Sequence, residues 1–557
     1  MSCIGPYKNT LSEIARIDRE AAKGAQVQAR VQWVEEGETS SAFFFRLGKK
    51  QMADRWVSAL RGSDGVVYSD MDGIRRVLSS FYSSLFSAED VDLAARDSLL
   101  GNLVSSLSPE QAETCEGPLT VAECHQALLG MARRKAPGSD GLPAEFYIHF
   151  WDVLGVDLVE VFNFCFSAGF LTRSQRRGVI SLTFKKGDRL DPGNWRPISL
   201  LNVDYKIASR AIAGRLLKVI HLVVNCDQSC GVPGRFIGDT VALIRDVVNY
   251  ATSANVPVAI LSLDQEKAFD RVDWGFLRSV LVHMGFGPSF VSWVDLFYSG
   301  VQSAVKVNGY LTHFFKLSRG VRQGCPLSPL CVSSPLSVVS QYADDMSLVV
   351  TTTDAIKAVF DTYAVFASGS GSRLNQAKSK GLWLGSWCGR VDTPVRLDWT
   401  SGTLKILGIF FGSGNVEELN WRPRIVAVKN VLNSWRQRGL SFRGKSLIVN
   451  ALALARIWYV ASLIDLPAWA LRELVSLVFS FFWKGKPDLV ARKVVSQSIC
   501  LGGFGVVSIE LKACALLVQW IRRLVTKPAS WVHFFLLLLL ASLRLFAFGC
   551  SFPSFFS

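Results

Sequence analysis

Three aspartates stand where strands are predicted to end, and they are the residues of this sequence best suited to chemistry. Asp264 follows the apolar run VPVAILSL (256–263), which has the length of a buried strand. Asp344 and Asp345 occupy a tight turn between two strand-like runs. If the strands are neighbours, all three carboxylates meet at one edge of a sheet. Such a group suits two Mg²⁺ ions, which prefer carboxylate oxygens and stabilise the charges of phosphoryl transfer.

Each part of this pattern also has a simpler interpretation when it is taken alone. A pair of adjacent aspartates is more often a solvated turn, and an aspartate after an apolar run is more often a helix N-cap. The order of the flanking sequence motifs therefore decides between the two interpretations.

The elements around the aspartates follow from composition and periodicity. The sequence predicts a mostly helical, charged segment up to about Thr120 and a strand over 178–184 that ends before a Lys-Gly-Asp turn. Two strands meeting at a turn are predicted over 337–351. Residues 422–445 are basic, contain no acidic residue and are predicted to be largely helical, and apolar helices follow to about Trp483.

The overall composition is that of a globular protein with a polyanionic partner. Hydrophobic residues make up 49% and charged residues 19% of the 557 residues, so two to four domains are expected. The formal net charge of +15 is typical of proteins that neutralise phosphates, although a merely soluble basic protein would carry it too.

Cysteine spacing and hydropathy indicate neither a zinc site nor a secreted protein. None of the twelve cysteines forms a C-x-x-C pair, which favours reduced thiols in an intracellular chain. Residues 534–543 are strongly apolar, but Arg544 interrupts them before they could span a bilayer. A membrane anchor and a tail read in the wrong frame or through an intron both stay open for this segment.

The flanking words resemble, in order, the reverse transcriptase motifs of non-LTR (LINE-type) retrotransposons. The resemblance covers about Trp33 to Ile509. Its words are APGSDGLPAEF (136–146), FKKGD (184–188), NWRPISLLN (194–202), DQSCGVPGRFI (227–237), LDQEKAFD (263–270), RGVRQGCPLSP (319–329), YADD (342–345), LNQAKSK (374–380), LGI (407–409), LSFRGK (440–445) and FFWKG (481–485).

The resemblance implies an α+β fold of the right-hand polymerase type. Its expected parts are a mostly helical N-terminal extension over 1–125, fingers over 126–255, a ferredoxin-like palm over 256–415, a helical thumb over 416–510 and an apolar tail of undecided status over 511–557.

It also implies roles for individual residues. Asp264, Asp344 and Asp345 would ligate two Mg²⁺ ions (or Mn²⁺), with Asp344 the stronger candidate of the adjacent pair. Phe269 matches a steric gate that selects dNTPs. Lys185 or Lys186 and Arg196 would contact the triphosphate, and Gln323 and Gly324 would contact the nucleotide and template. Lys378 or Lys380 would donate a proton to pyrophosphate. The template–primer backbone would be contacted by the thumb residues Arg422, Arg424, Lys429, Arg436, Arg438, Arg443 and Lys445. For each single lysine, a solvated surface cation is the competing interpretation. The competing interpretation of the thumb set, a charged solvated helix face, is weakened by the lack of acidic partners.

This sequence departs from the family pattern in three places. No endonuclease segment precedes the polymerase words, and no zinc knuckle follows them. Only twelve residues separate Pro329 from Tyr342, where the family has a palm helix and a strand, and Pro335 disfavours a helix there. The palm is therefore expected to be truncated between 330 and 341, as in a decayed copy or a mis-spliced gene.

The function expected from these words is RNA-directed DNA polymerisation with an RNA template, a DNA primer and dNTPs. A catalytically inactive remnant that only binds nucleic acid is the alternative. A maturase-like or telomerase-like host protein is disfavoured by the 227–231 block and the thumb words. The expected location is nuclear or cytoplasmic, in a ribonucleoprotein, without secretion or a stable membrane partner; the oligomeric state is left open.

Overall fold

The computed structural model describes residues 55–327 and 340–526. The first part of the N-terminal extension, residues 330–339 of the shortened interval before Tyr342 and the apolar tail 534–543 lie outside the described residues. None of the described helices is both long enough and apolar enough to cross a membrane.

Runs of helices and runs of strands follow one another along the chain, and most strand pairs are antiparallel, which confirms the predicted α+β class. In chain order the strands are β1 Leu60–Arg61, β2 Val67–Tyr68, β3 Arg177–Phe184, β4 Trp195–Leu200, β5 Val258–Asp264, β6 Gln302–Val307, β7 Tyr310–Leu311, β8 Phe315–Lys316, β9 Ser340–Tyr342, β10 Asp345–Val350, β11 Lys380–Leu384, β12 Asp398–Thr400, β13 Thr403–Ile406 and β14 Ile409–Gly412.

Helices cover most of the remaining described residues. They are Met71–Leu85, Leu93–Gly101, Pro109–Glu113, Val121–Leu129, Ala144–His149, Trp151–Ala168, Arg173–Arg176, Val203–Val223, Ile237–Ser253, Trp274–His283, Pro288–Tyr298, Thr353–Ser370, Val416–Arg436, Phe442–Ile448, Trp458–Ala461, Ala468–Phe482, Arg492–Val495 and Ile509–Thr526, with a π-helical turn at Val449–Ala453 and short 3₁₀ turns at Pro192–Asn194, Gly385–Trp387, Leu454–Arg456 and Ile499–Leu501.

The described chain divides into two compact units. The first consists of the residues up to Ser84, Arg177–Leu200 and Gln302–Lys316; the second consists of Leu85–Arg176, Leu201–Val301 and the residues from Leu317 onward. These units are assembled from separated stretches of sequence. The five sequence-based domains and their boundaries stay a prediction.

The first unit is built on a sheet in the order β4-β3-β6-β7, with β8 also pairing with β6. β3 and β4 are antiparallel, with Thr183 opposite Arg196 and Phe184 opposite Trp195. Buried apolar residues of β3 and of the helix Met71–Leu85 supply its core, and the Tyr82 hydroxyl donates to the carbonyl of Trp195 at 3.2 Å.

The second unit contains the sheet that carries the aspartates, in the order β12-β11-β5-β10-β9. β5 is central, and its residues alternate between two apolar clusters. Ile260 packs in one cluster with Leu382, whereas Leu261 and Leu263 pack in another with Met346. Because both faces of β5 are covered, its sequence is apolar except for Ser262, as a buried strand requires. The strand ends at Asp264, its first ionisable residue.

Candidate active site

The ends of β5 and β10 place two of the three predicted aspartates, Asp264 and Asp345, opposite each other. The two strands are antiparallel, and Asp345 is the cross-strand partner of Asp264. Side chains of opposed residues project on the same face of a sheet, with Cα atoms about 4.5–5.5 Å apart. Asp344 lies in the turn between β9 and β10, beside Ala343, whose φ of +56° is in the left-handed region. The hairpin thus has the predicted form, and its residues' roles stay a prediction.

The donor chemistry at this sheet end fits a hard divalent cation. Asp264 and Asp345 offer carboxylate oxygens from directly opposed positions, and Asp344 adds a third carboxylate one residue away. Opposed like charges destabilise a strand pair, and a bound cation removes that repulsion. In residues 55–327 and 340–526, no three His, Cys, Asp or Glu side chains are already grouped as a metal site. Of the three predicted aspartates, the register therefore pairs Asp264 with Asp345 and does not add Asp344 to a three-ligand group.

Residues 373–379 hold Asp264 from the side away from the hairpin. The Asp264 backbone N–H donates to Ser379 Oγ at 3.1 Å, and the Asn375 N–H donates to the Asp264 carbonyl at 2.8 Å. Lys378 Nζ lies 3.4 Å from Asp264 Oδ2. Of the two candidate proton donors, Lys378 therefore lies at the acid, whereas Lys380 forms an ion pair with Asp398 at 2.6 Å.

The loop that carries Val321 and Gln323 contacts the segment Phe269–Asp270. The N–H of Val321 donates to the Phe269 carbonyl at 2.7 Å, and Gln323 Nε2 donates to Asp270 Oδ1 at 3.1 Å. Gly320 makes this approach possible, because its φ is +83° and a Cβ there would lie 2.6 Å from the Asp270 carbonyl oxygen. Phe269 is half-buried against the helical core of this unit.

Asp270 is a buried carboxyl that the sequence did not mark as functional. It is 4% exposed, and burial raises the pKa of its carboxyl from 3.8 to about 6, although Lys267 and the bond from Gln323 oppose the shift. Its hydrogen bond fixes the side chain of Gln323, so Asp270 links the segment after β5 to the loop that carries Gln323 and Gly324.

Glu89 is the other participant that sequence reasoning missed. Its carboxylate pairs with Arg319 at 2.9 Å, with Arg373 at 3.0 Å and with Arg271 at 3.4 Å. The Arg319 hydrogen bond is the main cause that lowers the pKa of Glu89. One carboxylate thus ties together three segments next to the aspartates. An isolated Glu in a polar stretch carries no pattern that would reveal this, because its partners lie far away in sequence.

Lys185, Lys186 and Arg196 belong to the first unit. The β3–β4 register places Arg196 opposite Thr183, close to the turn that carries the two lysines, and all three residues are exposed. The turn is closed by the Lys185 N–H, which donates to the Asn194 carbonyl at 3.0 Å. This hairpin therefore gathers three cations on one surface of its unit. Gly324, in the second unit, is exposed with φ +122°.

The basic thumb residues lie, as predicted, on the helices Val416–Arg436 and Phe442–Ile448 and in the short connection between them. Arg424, Lys429, Arg436, Arg438 and Arg443 are exposed or half-exposed. Arg438 stacks its guanidinium over the Trp435 ring, with 4.3 Å to the centroid. These positions are compatible with a backbone-contacting surface.

Two members of that basic set need correction. Arg422 was expected to lack acidic partners, but its guanidinium pairs with Glu473 at 2.7 Å and Glu418 at 3.4 Å. Lys445 was expected to contact nucleic acid, but it is 6% exposed and its ammonium donates to the Phe482 carbonyl at 2.6 Å. A buried ammonium cannot reach a phosphate, so Lys445 is a structural contact of the thumb helices.

Comparisons with known proteins find similarity to reverse transcriptases. A family model described as "Reverse transcriptase (RNA-dependent DNA polymerase)" matches residues 184–411. The transposon TX1 uncharacterized 149 kDa protein of Xenopus laevis is 36% identical over 546 residues, covering 93% of this chain and 41% of that protein. The Pol polyprotein of the type-1 retrotransposable element R2 of Popillia japonica is 25% identical over 329 residues, covering 53% and 45%.

The chain therefore spans less than half the length of these relatives. Among solved structures, a Candida albicans telomerase in complex with a TWJ fragment of telomeric RNA has a TM-score of 0.33 and 11% identity, covering 62% of this chain and 64% of that chain. So distant a likeness decides nothing about the present site.

Proposed function

We propose that this chain, which is similar to the reverse transcriptases of non-LTR retrotransposons, is an RNA-directed DNA polymerase. It extends a DNA primer with dNTPs on an RNA template and works inside a ribonucleoprotein, in the nucleus or the cytoplasm. The observation that carries this proposal is the pairing of Asp264 with Asp345 next to Asp344, within the ordered family words.

The aspartates have the central part in the proposed chemistry. Asp264, Asp344 and Asp345 would hold two Mg²⁺ ions, with Mn²⁺ as a substitute. When bound, the ions stabilise negative charge on the primer 3′-oxygen and on the leaving pyrophosphate. The fold of the chain contributes the placement of these carboxylates. Ser379 and Asn375 fix the backbone of Asp264, and the antiparallel register fixes Asp345 opposite it.

Other side chains would select and orient the nucleotide. Phe269 would exclude a 2′-hydroxyl by its bulk. Gln323, whose amide is oriented by Asp270, would lie with Gly324 against the incoming nucleotide and the template. Lys378 is already within 3.4 Å of Asp264 and would hold the proton that the pyrophosphate takes up.

Cationic surfaces would bind the phosphates. Lys185, Lys186 and Arg196 form the triphosphate-binding candidate of the first unit, since guanidinium and ammonium groups suit phosphate oxygens. The exposed Arg436, Arg438 and Arg443, with the half-exposed Arg424, would track the template–primer backbone. Arg422 would contribute less than its neighbours, because two glutamates already neutralise it.

The rival function is nucleic-acid binding without catalysis, favoured by the shortened interval 330–341. Extension of a DNA primer on an RNA template, with purified chain, dNTPs and Mg²⁺, separates the two. The proposal predicts template-directed extension by wild type and none by Asp344→Asn, with template–primer affinity unchanged in the variant. Salt-sensitive RNA binding without extension by wild type would overturn the proposal in favour of the remnant.

A further inference from the structure

The sequence block Asp227-Gln228-Ser229 lies against the hairpin that carries Asp344 and Asp345. Gln341 of β9 donates its N–H to the Asp227 carbonyl at 2.9 Å, and the Ser229 N–H donates to the Gln341 carbonyl at 2.9 Å. Gln228 and Gln341 form a parallel bridge. The block therefore joins the edge of the sheet beside β9 through a single bridge.

The side chain of Gln228 reaches from this block to Ala343, in the turn between β9 and β10. Its Oε1 accepts the Ala343 N–H at 3.2 Å and the Cys230 N–H at 2.9 Å, and its Nε2 lies 3.5 Å from the Ala343 carbonyl. Gln341 Nε2 donates to the same carbonyl at 3.0 Å. Gln228 is 1% exposed, so water cannot replace these bonds.

Ala343 is the residue of the hairpin that most needs support. Its φ of +56° places a side chain with a Cβ in the left-handed region, which costs about 1–2 kcal/mol relative to the right-handed one. Such a conformation persists when surrounding bonds determine it. The backbone N–H and C=O of Ala343 both face the Gln228 amide, and Asp344 follows directly in the chain.

The block is itself held from behind by Arg235. Its guanidinium donates to the carbonyls of Val224 at 2.8 Å, of Gln228 at 2.7 Å and of Asn225. Ser229 Oγ adds a bond with Thr240 Oγ1 at 3.0 Å, which connects the block to the helix Ile237–Ser253. The described brace therefore runs from a helix through Gln228 to the turn, without using the interval 328–339.

We infer that Gln228 is a positioning residue for the acidic hairpin: through Ala343 it sets where Asp344 and Asp345 stand relative to Asp264. This inference rests on the proposed function for its catalytic consequence, although its structural part does not. A shift of about 1 Å in a catalytic group costs about a hundredfold in rate, so the brace should govern turnover and leave substrate binding unchanged.

The test compares Gln228→Met with Gln175→Met. Methionine keeps the side-chain volume and removes the amide. Gln175 is a matched control, since it is 2% exposed, accepts the Thr172 N–H and donates to Asp204, all remote in sequence from the hairpin. Hydrogen–deuterium exchange of residues 341–346 should become faster by about tenfold or more in Gln228→Met and stay at the wild-type rate in Gln175→Met.

Gln228→Glu keeps the accepting oxygen, so the Ala343 amide should keep its protection in that variant. Loss of protection in all three variants, or in none, would overturn the inference. Steady-state primer extension should show kcat lower by about ten- to hundredfold in Gln228→Met, with KM for dNTP unchanged. An unchanged kcat, or a loss confined to KM, would contradict the positioning role. If wild type does not extend primers, the proposed function fails, while exchange still decides whether Gln228 braces the hairpin.

Discussion

Asp345 lies directly opposite Asp264 in the antiparallel pairing of β10 and β5, so two carboxylates share one face at the end of the sheet. The family words alone favoured Asp344 as the stronger partner of Asp264. Motif matching named Asp345 as a ligand as well, but its direct opposition to Asp264 comes only from the register, because pairing between strands some eighty residues apart cannot be read from local sequence.

Replacement of Asp345 by asparagine should have opposite effects on stability and on cation response. Without Mg²⁺, the variant should be more stable than wild type by about 0.2–1 kcal/mol, because a like-charge pair is removed. With Mg²⁺, wild type should gain stability and the variant should gain less. Thermal unfolding with and without Mg²⁺ measures both. A Mg²⁺ gain of equal size in the two proteins would contradict a cation role for Asp345.

Asp270 should make stability depend on pH. Since its folded pKa is raised from 3.8 to about 6, the neutral form is favoured in the folded chain. The contribution of Asp270 to the free energy of unfolding is present in full below about pH 4 and is lost as pH rises through about 6. Asp270→Asn stays neutral and can still accept the bond from Gln323. Relative to that variant, wild type should lose about 3 kcal/mol of unfolding free energy between about pH 4 and pH 7.

Urea unfolding of both proteins across this range measures the difference. Parallel curves for the two proteins would show that Asp270 does not titrate in the window. The close approach of Gly320 to the Asp270 carbonyl should persist in Asp270→Asn, because backbone atoms make it.

Phe269 should determine sugar selection. Phe269→Val opens space at the position of a 2′-hydroxyl, and rNTP incorporation relative to dNTP should rise by roughly ten- to hundredfold. Competition between the two nucleotides in primer extension gives the ratio. Phe269 also packs against the core, so Phe269→Tyr serves as the control that keeps bulk and should keep discrimination. Equal ratios in all three proteins would remove Phe269 from the selection step.

The thumb cations should not contribute equally to nucleic-acid binding. Arg436→Ala should reduce the slope of log affinity against log salt by about 1, as expected for one lost phosphate contact. Arg422→Ala should change it by less, because Glu418 and Glu473 already pair with that guanidinium. Template–primer binding titrations at several salt concentrations compare the two. A larger change in the salt slope for Arg422→Ala than for Arg436→Ala would contradict the smaller role given to Arg422 in phosphate binding.

The sequence predicted the parts of this fold that depend on local pattern. The apolar run before Asp264, the turn at Asp344 and the basic helices all follow from residue type and spacing, and each is present. Contacts between distant segments could not be predicted in this way. The buried ammonium of Lys445 donates to the Phe482 carbonyl. Arg422 forms an ion pair with Glu473, which lies on another helix. Glu89 and Gln228 gain their importance only from partners that folding brings to them.

Primer extension on an RNA template by wild type and by Asp264→Asn, at saturating Mg²⁺ and dNTP, tests the central claim most directly. Asp264 is the one acid that is held by both the hairpin register and residues 375–379. Wild type should extend the primer, and the variant should lose at least about a thousandfold in kcat while it binds template–primer as tightly as wild type. Extension at the wild-type rate by Asp264→Asn would contradict the account.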